Sequence, residues 1–158
     1  MATTEILNGV PQIFGPASAN PFPVTTKLSD RPAVQKMVID FDYANLPNSS
    51  VNDARIQLIP AYSLIVSARI ETVVAFAGGT SYDIGLVQAD GTTINLTGLY
   101  AALALASINT KGKWAAGAGA LVGAGIGAAA GTVRATATGV FTAGQARLYI
   151  EYVPATAV

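Results

Sequence analysis

The chain has 158 residues, enough for one domain with a sizeable core and an arm. Only 11% of them are charged, against about 25% in an average soluble protein, and nine basic residues cancel nine acidic ones. Neutrality argues against a nucleic-acid binder and for a surface covered in an assembly, while the lack of Cys and His removes disulfides, thiolate chemistry and the usual metal ligand and general base.

The N-terminal stretch MATTEILNGVPQIFGP lacks the basic and long apolar regions of a signal peptide, so export is not expected. Residues 1–32 read as an extended N-terminal arm. Pro11, Pro16, Pro21, Pro23 and Pro32 are dense enough to oppose helices and ladder pairing. Ile6, Leu7, Ile13, Phe14 and Phe22 are too apolar for a solvated tail. The arm is therefore expected to become ordered on a neighbouring subunit, with Phe14 and Phe22 as anchors.

Residues 33–158 read as the folded domain. In VQKMVIDFDY, Met37, Ile39, Phe41 and Tyr43 share one face and Lys36, Asp40 and Asp42 the other, which predicts a half-buried strand. After the polar loop ANLPNSSVND, ARIQLI sets Ala54, Ile56 and Leu58 opposite Arg55 and Gln57. The long run from Tyr62 to Phe76 sets Leu64, Val66, Ala68 and Ile70 against Ser67, Arg69 and Glu71. AGGTS breaks it as a hairpin loop would, Tyr82, Ile84 and Leu86 alternate on the return strand, and Asp90-Gly91 signals another tight turn.

LTGLYAALALASIN is the one segment with helical character, because Leu99, Leu103 and Ala106 fit the i, i+4, i+7 spacing. TVRATATG and QARLYIEYV then read as two strands joined by GVFTAG into an antiparallel hairpin. Strands dominate without βαβ alternation. The expected fold is all-β, an antiparallel, jelly-roll-like β-sandwich with one short helix and the extended arm.

Between Lys113 and Arg134 lies GAGALVGAGIGAAAG, residues 117–131. Gly119, Gly123, Gly127 and Gly131 recur every four residues, as in closely packed membrane helices. A span of about 20 residues here holds only Leu121, Val122, Ile126 and Val133 as large aliphatics, roughly 2 kcal/mol of insertion drive, so no membrane is expected. Six of the glycines also fall on odd positions, the period of a strand with one bare face or of a small-residue loop. Gly123 and Gly125 are accordingly candidate assembly contacts, where a backbone presses on another surface.

No catalytic, cofactor-binding or metal-ligating set emerges. Asp40 and Asp42 lie roughly 7 Å apart on one strand face, a separation seen in glycosidase pairs, but such pairs flank a cleft from different elements. With Asn45 or Asn48 they lack the regular spacing of a calcium loop. Ser49, Ser50, Ser63 and Ser67 have neither a nucleophile elbow nor a histidine, and Gly78-Gly79-Thr80 has no following lysine or helix to make a phosphate loop. Tyr62, Tyr82, Tyr100, Tyr149 and Tyr152 with Trp114 suit a sugar-binding surface, yet Tyr62, Tyr82 and Tyr152 align with core faces and only Tyr149 looks outward.

The segments LIPAYSLIVSARIETVVAFAGGTSYDIGLVQADGT and GTVRATATGVFTAGQARLYIEYV resemble a family of small tailed-bacteriophage virion proteins. That family joins an IPA-x-x-x-I/V strand and an AF-x-G-GT-x-x-x-DIG hairpin to a closing T-A-x-G-x-A-x-x-x-I/V-E-Y strand. Here these are Ile59-Pro60-Ala61, Ala75 to Gly85, and Thr142 to Tyr152. The resemblance implies a capsid decoration (cement) protein without enzymatic activity or cofactor. It would be made in the host cytoplasm and bind the major capsid protein on the outside of the head as a homotrimer. A tail, fibre or receptor-binding module that recognises glycan is the alternative.

Overall fold

The computed structural model describes residues 3–7, 10–14, 33–48 and 57–155. The chain divides into two units, Met1–Arg31 and Pro32–Val158. In the first, β1 (Thr3–Leu7) pairs antiparallel with β2 (Val10–Phe14), from Thr3↔Phe14 to Leu7↔Val10. Proline density predicts no ladder here, yet one forms. Pro11 falls inside β2, and in a two-stranded sheet both strands are edges, where a missing N–H is tolerated.

The second unit carries β3 (Gln35–Asp42), β4 (Leu64–Gly78), β5 (Ser81–Val87), β6 (Thr93–Ala104), β7 (Trp114–Ala116), β8 (Thr132–Thr138) and β9 (Phe141–Val153). They form a four-stranded sheet in the order β3-β9-β4-β7 and a three-stranded sheet in the order β6-β5-β8, with every pairing antiparallel. Buried residues of both sheets make one hydrophobic cluster, with Met37, Ile39, Ile70, Leu148 and Ile150 from the first and Tyr82, Ile84, Leu86, Leu99 and Val133 from the second. At one end Tyr82 stacks on Phe141 at 4.2 Å, and Phe76 meets both rings edge-on. Each such pair contributes about 0.5–1.5 kcal/mol beyond its buried area.

Alternation placed β3, β5 and β9 on their faces: Met37, Ile39, Phe41, Tyr82, Ile84, Leu86, Leu148 and Ile150 are buried as the pattern predicts. Tyr43 lies past the end of β3 and is exposed. The Asp90-Gly91 turn joins β5 to β6 as a true hairpin, with Gly91 N–H donating to the Gln88 carbonyl at 2.9 Å and Val87 opposite Thr93.

Two expected hairpins are instead corners between sheets. β4 pairs with β9 and β7 while β5 pairs with β6 and β8, so the Gly78-Gly79 turn carries the chain from one sheet to the other. The Gly139-Val140 link between β8 and β9 does the same in reverse. The two corners lie against each other, for a Cβ on Gly139 would come within 3.0 Å of Gly79 Cα. A fixed turn length selects a tight reversal, not the partner of the strand that follows.

Bulges account for the other departures. On β4, Ile65 and Ser67 face the consecutive residues Tyr152 and Glu151, which puts one extra residue at Val66. The phase shifts there, so Leu64 and Val66, expected inside, are exposed and Ile65 is buried. On β6, Leu103 and Tyr100 pair with Tyr82 and Ile84, again one residue too many, and Ala102 takes φ +50° with its N–H bonded to Asp83 Oδ1 at 2.7 Å. That insertion puts Tyr100 and Leu103, three residues apart, on one face, and with Leu99 four before Leu103 the spacing imitates a helix. The expected helix is therefore a strand, ending in a 3₁₀ turn at Leu105–Ser107.

Of ARIQLI, residues 54–56 lie outside the described residues, Leu58 is exposed, and Ile59 is buried and makes an isolated bridge to Gly131. No helix among the described residues is long and apolar enough to cross a membrane.

Candidate functional site

The outward side chains of the four-stranded sheet gather much of the chain's charge. Alternation sends Met37, Ala68, Ile70, Leu148 and Ile150 into the core and so turns Lys36, Asp40, Arg69, Glu71, Arg147, Tyr149 and Glu151 the other way. With Asp42 at the end of β3, three of the nine cationic and four of the nine anionic residues of the sequence thus share one face.

Register places them within reach of one another. Asp40 sits opposite Arg147 on β9, and its carboxylate takes Nε at 2.6 Å and Nη2 at 3.3 Å. This pairing, with a hydrogen bond to Tyr149, pushes the guanidinium still further above its ordinary value. Arg69 Nη2 lies 3.6 Å from Glu151 Oε2, which also accepts from Ser67 Oγ at 2.8 Å. Tyr149 OH donates to Glu71 Oε2 at 2.8 Å, Lys36 Nζ sits 4.6 Å over the Tyr149 ring, and Trp114 stacks on that ring at 5.3 Å and 24°. Lys36, Ser67, Arg69, Trp114, Tyr149 and Glu151 line a groove of about 170 Å³.

A second depression, of about 260 Å³, is lined by Asp40, Phe41, Asp42, Val73, Gln145, Ala146 and Arg147. The two aspartates do different work there. Asp40 is held by Arg147, whereas Asp42 Oδ1 accepts from the N–H groups of Ala44 at 2.9 Å and Asn45 at 2.8 Å, an Asx turn at the end of β3. Both are explained as structure. No group of His, Cys, Asp and Glu among the described residues would hold a metal ion.

The serines are structural where described: Ser63 Oγ donates to the Pro60 carbonyl at 2.6 Å and Ser67 serves Glu151, while Ser49 and Ser50 lie outside the described residues. Tyr82 is buried, and its hydroxyl finds no hydrogen-bond partner among the described residues. Burial, helped by the Asp42 charge, pushes its pKa up to about 12. Tyr152 packs half-buried against the core and Tyr149 looks outward, as alternation predicts. Tyr62 does not align with the core: it occupies the turn before β4 with φ +59° and is 65% exposed.

Of the candidate assembly contacts, Phe14 is the last residue of β2 and Phe22 lies outside the described residues. Gly123 and Gly125 are exposed. Beyond β7 the glycine–alanine tract is a loop of turns and isolated bridges rather than a strand. It runs on along β4: Gly117, Gly123 and Ile126 donate to the carbonyls of Ala68, Ile65 and Ser63 at 2.8–3.0 Å. The close backbone approach falls at Gly119, where a Cβ would lie 2.3 Å from Gly98 O, and at Gly117, 2.8 Å from Leu99 O. A Cβ on Gly123 meets nothing within 4 Å, and one on Gly125 only Ser63 O at 3.9 Å.

The residue that strand patterns missed is Trp114. Only three residues of β7 pair with β4, too short a run to show alternation, and its partner Tyr149 is distant in sequence.

No family model matches the chain, and no curated protein matches it either. Two solved structures are similar in fold. One is described as the cyanophage Pam1 capsid asymmetric unit, with TM-score 0.49 and 13% identity over 85% of this chain and 100% of that one. The other is described as the capsid of Ralstonia phage GP4, with TM-score 0.45 and 13% identity over 80% of this chain and 88% of that one. A likeness of this degree assigns no role.

Proposed function

We propose that this chain is a structural virion protein without enzymatic activity, a decoration or cement protein of β-sandwich build. It binds the major capsid protein on the outside of the phage head, as a homotrimer, and stabilises the assembled shell. The observation that carries this reading is where the family-like motifs fall. Ile59-Pro60-Ala61 leads into β4, the Ala75 to Gly85 segment forms the corner between the sheets, and Thr142 to Tyr152 is most of β9. They mark the central strands of both sheets and the turn joining them, so the resemblance lies in the frame of the fold rather than in scattered loops.

Two physical features agree. A two-stranded hairpin such as β1–β2 is marginal by itself in water and draws stability from a further surface, as an arm ordered on a capsid subunit does. A neutral, charge-poor chain resists association little. The stabilisation itself is mass action: a ligand that binds the assembled shell and not its dissociated subunits favours the shell.

Co-sedimentation with heads of the encoding phage that lack this protein tests the reading. Saturable attachment to expanded heads, with little to unassembled capsid protein, is the expected result. Failure to sediment with heads, together with attachment to tails or fibres, establishes the receptor-binding alternative instead.

A further inference from the structure

We propose that the groove between Trp114, Tyr149, Lys36, Ser67, Arg69 and Glu151 is a binding site for an uncharged sugar ring of a polysaccharide. The inference stands apart from attachment to the head.

Trp114 is 54% exposed in a chain that has a single tryptophan. It stacks on Tyr149, ring centroids 5.3 Å apart and 24° from parallel, and so offers the outer face of the indole as an apolar platform. The platform is fixed before any ligand arrives, because Glu71 holds the Tyr149 hydroxyl at 2.8 Å and Lys36 sits 4.6 Å over its ring. Rigidity of that kind lowers the entropy lost on binding. A pyranose offers such a platform its C–H face and needs both donors and acceptors around its rim. Arg69 and Lys36 supply donors, Glu151 an acceptor and Ser67 either. All of them line the same groove of about 170 Å³.

Charge narrows the ligand further. Lys36 and Arg69 are balanced by Glu71 and Glu151, so the groove has no net field to attract a phosphate chain or an acidic polymer. Trp, Tyr and Arg also make protein-binding hot spots. A dry protein contact would, however, strip water from Lys36 and from the Arg69–Glu151 pair, where a desolvation penalty applies. Sugar hydroxyls replace that water one for one.

The test is to screen the purified full chain against an array of bacterial surface polysaccharides and their oligosaccharide fragments. Hits are then titrated by calorimetry beside the free monosaccharides, with attachment to heads measured in parallel. The expected result is binding of neutral oligosaccharides that survives 0.5 M salt, where a Debye length of about 4 Å would screen a charge-driven contact. Trp114→Ala should weaken it about tenfold while Trp114→Phe restores most of the loss, both melting like the wild type. Tighter binding of oligosaccharides than of free monosaccharides identifies a polymer as the source, and equal binding overturns the polymer assignment. Three results overturn the site: no glycan bound at millimolar concentration (with Trp114→Ala then failing on heads if the groove is a protein contact), binding only to acidic polymers, or full affinity in Trp114→Ala.

Discussion

Two regions lie against β4 and use it in opposite ways. The outer face of the four-stranded sheet is made of side chains, with Lys36, Arg69 and Arg147 set among Asp40, Glu71, Glu151, Tyr149 and Trp114. The glycine–alanine loop, residues 117–131, has no charge and bonds through its backbone to the carbonyls of Ala68, Ile65 and Ser63. The loop thereby pairs backbone groups that an open sheet edge would leave exposed to another chain. Recognition chemistry is thus placed on the face and edge protection in the loop, and low charge overall conceals a face that is locally rich in it.

The loop also differs within itself, and the largest effect is expected there. Gly119→Ala should cost about 3 kcal/mol in a denaturant melt, since its Cβ would meet the backbone of Gly98, which cannot swing aside as a side chain can. An unchanged midpoint would show that the loop lifts away without loss and would end its role as an edge cover.

Tyr100 ties the two sheets together. Its hydroxyl, on β6, donates to the Ala115 carbonyl on β7 at 2.8 Å. Tyr100→Phe should cost about 1 kcal/mol by removing that hydrogen bond between the sheets. Burial raises the Tyr100 pKa, and that of Tyr82 to about 12. In the unfolded chain both titrate near 10, so above about pH 10 the unfolded state binds fewer protons and stability falls with rising pH. Melts between pH 9 and 11 should show this decline, shallower in Tyr82→Phe and in Tyr100→Phe. A decline equally steep in both variants would place its origin elsewhere.

Smaller effects separate the remaining glycines. Gly123→Ala has open space but sits at φ +82°, so backbone strain alone should cost about 1 kcal/mol. Gly125→Ala has neither obstacle and should melt within about 0.5 kcal/mol of the wild type. If it nevertheless lost oligomer state or head attachment, Gly125 would be a contact between chains. Least of all, Asp40→Asn on the exposed sheet face should lower the melting temperature slightly in dilute buffer and not at all in 1 M salt. A salt-independent loss would mean that the Asp40–Arg147 pair shapes the sheet itself.

Much of this was legible in the sequence. Alternation located β3, β5, β8 and β9 because those strands, β9 from Gln145 onward, carry no inserted residue of their own, and the Asp90-Gly91 turn marked its own hairpin. Bulges at Val66 and near Ala102 were not legible, since one inserted residue turns alternation into a helix-like spacing and nothing local announces it. The two sheet-crossing corners were missed for a related reason: Gly78-Gly79 and Gly139 specify reversals, and partners are chosen by the whole core. Of the candidate site, Tyr149 could be placed outward from its strand, but its meeting with Trp114 depends on β7 reaching β4 from a distant part of the chain. The glycine tract showed its capacity for close approach, though the contacts fall at Gly117 and Gly119 rather than at Gly123 and Gly125.

The most direct test of the central claim is a cryo-EM map of the encoding phage's heads with and without this protein. Cement function predicts density of this two-sheet shape on the outer surface of the shell, repeated where capsid subunits meet and absent from heads that lack the protein. Density confined to the tail, or identical maps from the two kinds of head, would contradict it.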